Sequence, residues 1–277
     1  MTEGRIAGVI GLGSMGMGAA RSLVAAGVET WGTDVRAESV ADFAANGGKG
    51  AASPAELASK VDALLVLVVN AAQTESVLFG ETGAVQHMKK GAVVVASSTV
   101  PAAYARELEG RLAEHGLLMV DAPVSGGAAK AATGEMTVMG SGTPAAFEAA
   151  DFLLKAIATK VYQLGDQAGP GSTVKTINQL LAGVHIAAAA EAMALGIRAG
   201  VAPADLFEVI SNSAGASWMF NNRVPHILDG DYAPLSAVNI FVKDLGIVLE
   251  TGKELTFPLP LSAAAHQQFL GAAAAGL

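Results

Sequence analysis

Cysteine is missing from this 277-residue chain. Its absence excludes disulfide bridges and thiolate metal sites and fits a reducing compartment, so the expected location is the cytoplasm. Basic residues are also scarce: 17 Lys and Arg stand against 25 Asp and Glu, for a net charge of −8. Nucleic acids and anionic membrane surfaces both favour a basic face, so neither is an expected partner. An anionic ligand would have to be met by a few locally placed cations. Histidines occur singly, at His87, His115, His185, His226 and His266, without H-x-x-H or His-carboxylate spacing, so no metal is expected. A G-x-S-x-G serine-hydrolase turn is absent as well. The N-terminal residues lack a basic segment, an apolar run and a small-residue cleavage site, so no signal peptide is expected. The most apolar stretch, LLAGVHIAAAAEAMALGIRAG, is broken by His185, Glu191 and Arg198 and is expected to be a buried helix rather than a membrane span.

What the chain does have is apolar mass, 52% of its residues, which is enough to fill one large or two modest cores. Short runs such as RIAGVIG, VETWGTD, ALLVLVV, AVVVAS, LLMVDAP, MTVMG and KVYQL alternate with helical segments. Continuous apolar strands between helices imply a largely parallel sheet covered on both faces. Two helix starts are explicit. Ser53-Pro54-Ala55-Glu56 pairs a capping serine with a capping-box glutamate, and Thr143-Pro144 repeats the cap and proline. Strand signals stop after Leu164, and GDQAGPG marks a break. The expected architecture is α/β over 1–164 followed by an all-α domain over 165–277, which opens with a long helix from about Gly171 to Ala199.

The first motif is Gly11-Leu12-Gly13-Ser14-Met15-Gly16, a G-x-G-x-x-G that follows a strand and opens a helix. The first glycine allows the tight turn, the second lets the backbone approach a pyrophosphate, and the third permits close helix packing. Asp34 ends the second strand, twenty-three positions after Gly11, where a carboxylate would accept from ribose hydroxyls and repel a ribose phosphate. A Rossmann-type domain binding NAD is therefore expected, with Val35 and Arg36 beside the ribose and Arg36 weakening the preference over NADP. Ligands of such sheets bind beyond the carboxyl ends of the strands, which adds Val69, Asn70 and Thr99 as cofactor candidates. Asn and Thr are equally good helix caps and turn formers, so that reading stays open beside the first.

Two further clusters carry polar groups into apolar surroundings. Ser125-Gly126-Gly127 offers a hydroxyl and flexible amides that could hold a carboxylate, or form a plain glycine-rich turn. Lys175, Asn178 and Gln179 share one face of a helix, either as a site or as a solvated stripe.

The stretches GLGSMGMGAARSL, DAPVSGGAAKAATGEMTVMGSG, GPGSTVKTINQLL and FVKDLGIVLE, in this order along nearly the whole chain, resemble the β-hydroxyacid dehydrogenase family. The resemblance implies a catalytic lysine at Lys175 and substrate contacts at Ser125, Gly126, Gly127, Asn178 and Gln179. It also implies Lys243 and Asp244 near the nicotinamide. The long apolar helix from about Gly171 to Ala199 exceeds what a small helical domain needs, so a homodimer or homotetramer is expected. Many members have two asparagines where this chain has Asn178-Gln179. That departure points to a small anionic polyhydroxy acid as substrate, with L-threonate first and tartronate semialdehyde or 3-hydroxyisobutyrate as alternatives. A non-catalytic dinucleotide sensor is the alternative from another class. Alcohol oxidation needs a hydride acceptor and a group that takes the hydroxyl proton. A lysine serves as that group once desolvation or a neighbouring cation lowers its pKa from about 10.4. On this reading the Lys175 face lines a cleft between the domains.

Overall fold

The computed structural model describes residues 4–233 and 237–277. It comprises two compact units, one ending at Lys175 and one beginning at Thr176. In the first, strands β1 (Ile6–Ile10), β2 (Glu29–Thr33), β3 (Lys49–Gly50), β4 (Ala63–Val66), β5 (Val93–Ala96) and β6 (Leu118–Asp121) form a sheet in the order β3-β2-β1-β4-β5-β6. Every pairing in it is parallel. The connections are helices α1 (Ser14–Ala25), α2 (Ala37–Ala45), α3 (Pro54–Ala58), α4 (Ala71–Phe79) and α5 (Ala102–Glu114).

Both faces of this sheet are buried, which explains why its strands read as unbroken apolar runs. Ala63 and Leu65 of β4 join a core with Ala19, Ala20 and Leu23 of α1, whereas their neighbours Leu64 and Val66 join one with Leu57 of α3 and Leu108 and Leu112 of α5. The strand order reverses between β1 and β4, so the carboxyl ends of those two strands flank the crevice where such sheets take ligands.

The later strands do not extend that sheet. β7 (Val124–Ser125), β8 (Met136–Gly140) and β9 (Ala158–Gln163) form a separate sheet in which β7 runs antiparallel to β8, while β8 and β9 are parallel. Only Ala122 and Pro123 separate β6 from β7, far short of the dozen or so residues that a parallel crossover needs. Helices α6 (Gly127–Ala132) and α7 (Pro144–Ile157) complete this part. The helix starts expected from sequence are present. Ser53 Oγ accepts from Glu56 N at 3.2 Å, Glu56 Oε2 reaches back to Ala52 N at 2.9 Å, and Thr143 Oγ1 accepts from Ala146 N at 3.2 Å.

Helix α8 (Pro170–Arg198) begins in the first unit and continues into the second, where α9 (Pro203–Ser211), α10 (Trp218–Asp229), α11 (Val238–Glu254) and α12 (Pro260–Ala274) follow. Ala187 of α8 packs with Leu245, Val248 and Ala265, and Met193 packs with Phe220 and Val224 of α10. The Phe207 and Phe220 rings stack at 6.0 Å. The stretch SWMFNNRVPHIL thus packs through Phe220 and Val224 and leaves Trp218 exposed. The expectation of a buried α8 holds only in part, because Ile177, Leu181, Leu195 and Ile197 are exposed. A helix that is apolar on all sides needs cover on all sides, and this chain covers only some of them. By length and composition alone α8 would reach across a membrane.

Candidate active site

The loop between β1 and α1 is built by backbone proximity. Gly11 has φ +95°, and a Cβ there would lie 2.5 Å from Leu67 O. A Cβ at Gly16 would lie 1.8 Å from Gly11 O, so only glycine lets α1 start this close to the strand. Gly18, outside the sequence expectation, is equally constrained: its Cβ would meet the Ala131 and Ala132 backbone at 2.7 Å, where α1 crosses α6.

Gly13 is different. It has an ordinary φ of −69° and nothing within 4 Å of where a Cβ would sit. The fold itself does not require glycine at 13; a ligand pressed against the loop would. Ser14 and Met15 open α1 immediately beyond, and free amides at a helix start attract phosphate. This cradle fits a dinucleotide pyrophosphate.

Asp34 follows β2 and closes the other side of the cradle. Its Oδ2 accepts from Leu12 N at 2.7 Å, and its Oδ1 accepts from Arg36 N at 2.9 Å and Arg36 Nε at 3.2 Å. Burial raises the carboxyl's pKa, but the hydrogen bonds from Arg36 and the Leu12 amide outweigh it and hold the group below its ordinary value. Arg36 is anchored a second time, through Nη2 to Leu12 O at 3.1 Å, whereas Val35 is fully exposed. Each carboxylate oxygen offers two lone-pair directions; Oδ1 uses both, and Oδ2 retains one for a ribose hydroxyl.

At the carboxyl end of β4, Val69 N donates to Gln73 Oε1 at 2.9 Å, and Asn70 Oδ1 caps α4 by accepting from Gln73 N at 2.8 Å. The capping alternative for Asn70 is therefore realised. Thr99 lies in the loop after β5, half-buried, at the same end of the sheet.

Ser125 ends β7, and Gly126 (φ +137°) and Gly127 (φ +70°) turn the chain into α6. Lys175 is buried, with 8% of its surface exposed, and its Nζ donates to Val124 O at 2.9 Å. The structure thus brings the lysine to the residue preceding Ser125-Gly126-Gly127. Burial excludes the solvated-stripe reading for this residue.

In the second unit Asn178 Nδ2 donates to Gln179 Oε1 at 2.9 Å, and Gln179 Nε2 donates to Asp244 Oδ2. Lys243 Nζ lies 2.7 Å from Asp244 Oδ1 in an ion-pair contact that lacks the alignment of a hydrogen bond. Asn178, Gln179, Lys243 and Asp244 therefore form one polar chain across α8 and α11. Gln179 sits in the middle of it, with its carbonyl on one neighbour and one amide N–H on the other.

Sequence reasoning missed the groups that seat the start of α8. Asp121, 1% exposed, accepts from Gly169 N and Ser172 N at 2.9 Å each and from Ser141 Oγ at 3.1 Å through Oδ2, and from Ser172 Oγ at 2.6 Å through Oδ1. Ser141 Oγ in turn accepts from Gly171 N at 2.9 Å. The only available signal was a carboxylate closing an apolar strand, where an exposed end would be the ordinary reading.

Comparison with known proteins places this site among relatives. Residues 6–165 match the family described as the NAD binding domain of 6-phosphogluconate dehydrogenase, and residues 169–277 match the one described as NAD-binding of NADP-dependent 3-hydroxyisobutyrate dehydrogenase. L-threonate dehydrogenase of Cupriavidus necator is 63% identical over 269 residues, covering 97% of this chain and 91% of that protein. The enzyme of the same name from Escherichia coli K12 is 57% identical over 270 residues, covering 97% and 89%. The crystal structure of a 3-hydroxyisobutyrate dehydrogenase from Salmonella typhimurium superposes with a TM-score of 0.93 at 55% identity, covering 98% of this chain and 95% of that one.

Proposed function

This chain belongs to the β-hydroxyacid dehydrogenase family and is an NAD-dependent hydroxyacid dehydrogenase, and from that premise we propose that its reaction is the oxidation of L-threonate to 2-oxo-tetronate. The observation that carries the reading is the buried Lys175 amine, held 2.9 Å from Val124 O beside a serine and two glycines. When bound, NAD supplies the hydride acceptor. The loop from Gly11 to Gly16 holds its pyrophosphate, Asp34 its ribose, and Val69, Asn70 and Thr99 border it. The Ser125 hydroxyl and the amides of Gly126 and Gly127 take the substrate carboxylate. Lys175 accepts the proton of the reacting hydroxyl as the C–H bond breaks and returns it in the reverse reaction. Asn178, one turn along α8 from Lys175, orients that hydroxyl, and Lys243, paired with Asp244, serves the nicotinamide end of the cofactor.

On this reading residues 1–164 bind the dinucleotide and supply the carboxylate contacts at 125–127, and residues 165–277 supply the remaining substrate contacts and self-association. The exposed apolar side chains of α8 support a homodimer or homotetramer, with a second copy covering Ile177, Leu181 and Leu195. The cytoplasm is the proposed location, in keeping with the absence of cysteine.

A panel of three- to five-carbon hydroxy acids, assayed with NAD and with NADP, tests the reading. L-threonate with NAD gives the highest kcat/KM. Faster turnover of 3-hydroxyisobutyrate or tartronate semialdehyde reassigns the substrate, and cofactor binding without turnover of any acid leaves the sensor alternative. In the same assay Asp34→Ala weakens NAD binding by about 10- to 100-fold, the value of one or two hydrogen bonds to a charged group, and narrows the margin over NADP. A margin that stays wide removes Asp34 from cofactor selection.

A further inference from the structure

We infer that Asp121 is a positioning residue for Lys175: its carboxylate seats the first turn of α8 so that the lysine's Nζ is delivered onto Val124 O. The inference rests on the proposed role of Lys175 in proton transfer, and its test separates the two.

A helix begins with amide groups that lack partners inside the helix, and in a buried position each must be satisfied elsewhere. Here the satisfaction is concentrated on one side chain. Asp121 takes the amides of Gly169 and Ser172 and the Ser172 hydroxyl, and Ser141, itself bonded to Asp121, takes the amide of Gly171. A negative charge at a helix N-terminus also complements the helix dipole, and burial at 1% exposure strengthens that field. The fit is close enough to demand glycine at 171, where a Cβ would come within 2.4 Å of Met139 O and 2.7 Å of Asp121 O.

The consequence for Lys175 is one of register. Asp121 bonds Ser172, and Val124, three residues on from Asp121, bonds Lys175, three residues on from Ser172. The segment from β6 to β7 and the first turns of α8 therefore run in step, pinned at two rungs. The first rung, a buried carboxylate with four donors, fixes how far the helix has advanced and how it is rotated. The second rung is the flexible lysine stem, which cannot fix a helix by itself but reaches Val124 O from a fixed start. If the first rung slackens, Lys175 loses its place beside Ser125, although no group of Asp121 touches the ligand.

Asp121→Asn is the test variant, since it keeps the shape and removes the charge. Two readouts apply to the intact protein. The first needs no turnover: labelling of individual lysines by trinitrobenzenesulfonate, followed by peptide mass spectrometry. Lys175 in the variant reacts at least about fivefold faster, because its amine, the form the reagent takes, spends more time away from its buried site, while Lys130 and Lys243 change less than about twofold. An unchanged Lys175 rate overturns the inference. The second is kinetic. Asp121→Asn lowers kcat by about 10- to 100-fold with little change in NAD affinity, and the same substitution made on top of Lys175→Met lowers the residual rate by less than about twofold, as two residues acting as one unit do. Losses that multiply independently overturn it. If Lys175→Met alone turns over like the parent, the catalytic reading of the lysine fails and the labelling result alone decides the positioning. Should Asp121→Asn fail to fold, Ser172→Ala, which deletes the bond to Oδ1, replaces it in both arms with a smaller effect of the same sign.

Discussion

Replacing Lys175 with alanine lowers turnover by roughly two to four orders of magnitude, the range associated with losing a general acid-base group. NAD affinity barely changes, because the side chain is bonded to Val124 O, next to the Ser125-Gly126-Gly127 turn that takes the acid. Truncating a buried lysine also leaves a carbonyl without its donor, which costs about 1–3 kcal/mol of stability, so a melting curve accompanies the kinetics. Lys175→Met retains most of the stem and limits that loss. Lys175→Arg gives the sharper distinction, since arginine keeps the charge but does not release its proton near neutrality. Near-parental oxidation of L-threonate by the arginine variant makes Lys175 an electrostatic anchor and moves the proton acceptor elsewhere.

The second large effect is expected at Gly16. Gly16→Ala places a methyl carbon 1.8 Å from a backbone oxygen, with no flexible side chain to yield, so the loop itself must move. Overpacking of this kind costs about 1–3 kcal/mol, occasionally more. Because the displaced atoms are the cradle's own, NAD binding falls at least 100-fold, or roughly 2.7 kcal/mol. Gly13→Ala supplies the control that separates fold from ligand. Its added methyl meets open space at an ordinary φ, so stability stays within about 0.5 kcal/mol while NAD affinity still falls at least about tenfold. Titration by intrinsic fluorescence or calorimetry measures both. A Gly13→Ala protein that binds NAD as the parent does shows that the dinucleotide does not press on the loop.

These residues also mark where sequence reading succeeds and where it stops. The β1 strand, its glycines and Asp34 were legible because a fixed spacing along the chain encodes their geometry, and the caps at Ser53 and Thr143 because capping is a matter of three residues. Lys175, Asn178 and Gln179 were legible as a polar face but not as what they hold. The partners Val124 and Asp244 lie 51 and 65 positions away, and no local pattern specifies them. Asp121 was invisible as an anchor for the same reason. The two-residue strands β3 and β7 fell below the length at which alternation can be read, so the second sheet did not stand out from the first.

The bond between Lys175 and Val124 has a bearing on how this protein can change. Its acceptor is a main-chain oxygen, which every amino acid at position 124 provides. The Val124 side chain is buried in the core, so apolar exchanges there keep the tether, and changes at Ser125 can alter the polarity offered to a ligand without deleting it. Asp121 and Ser141, by contrast, contribute through their side chains and leave little latitude. Preference among hydroxy acids and retention of the proton-transfer group are written in different positions, and a library varying 125 while keeping 121, 141 and 175 fixed would shift the first with the second intact.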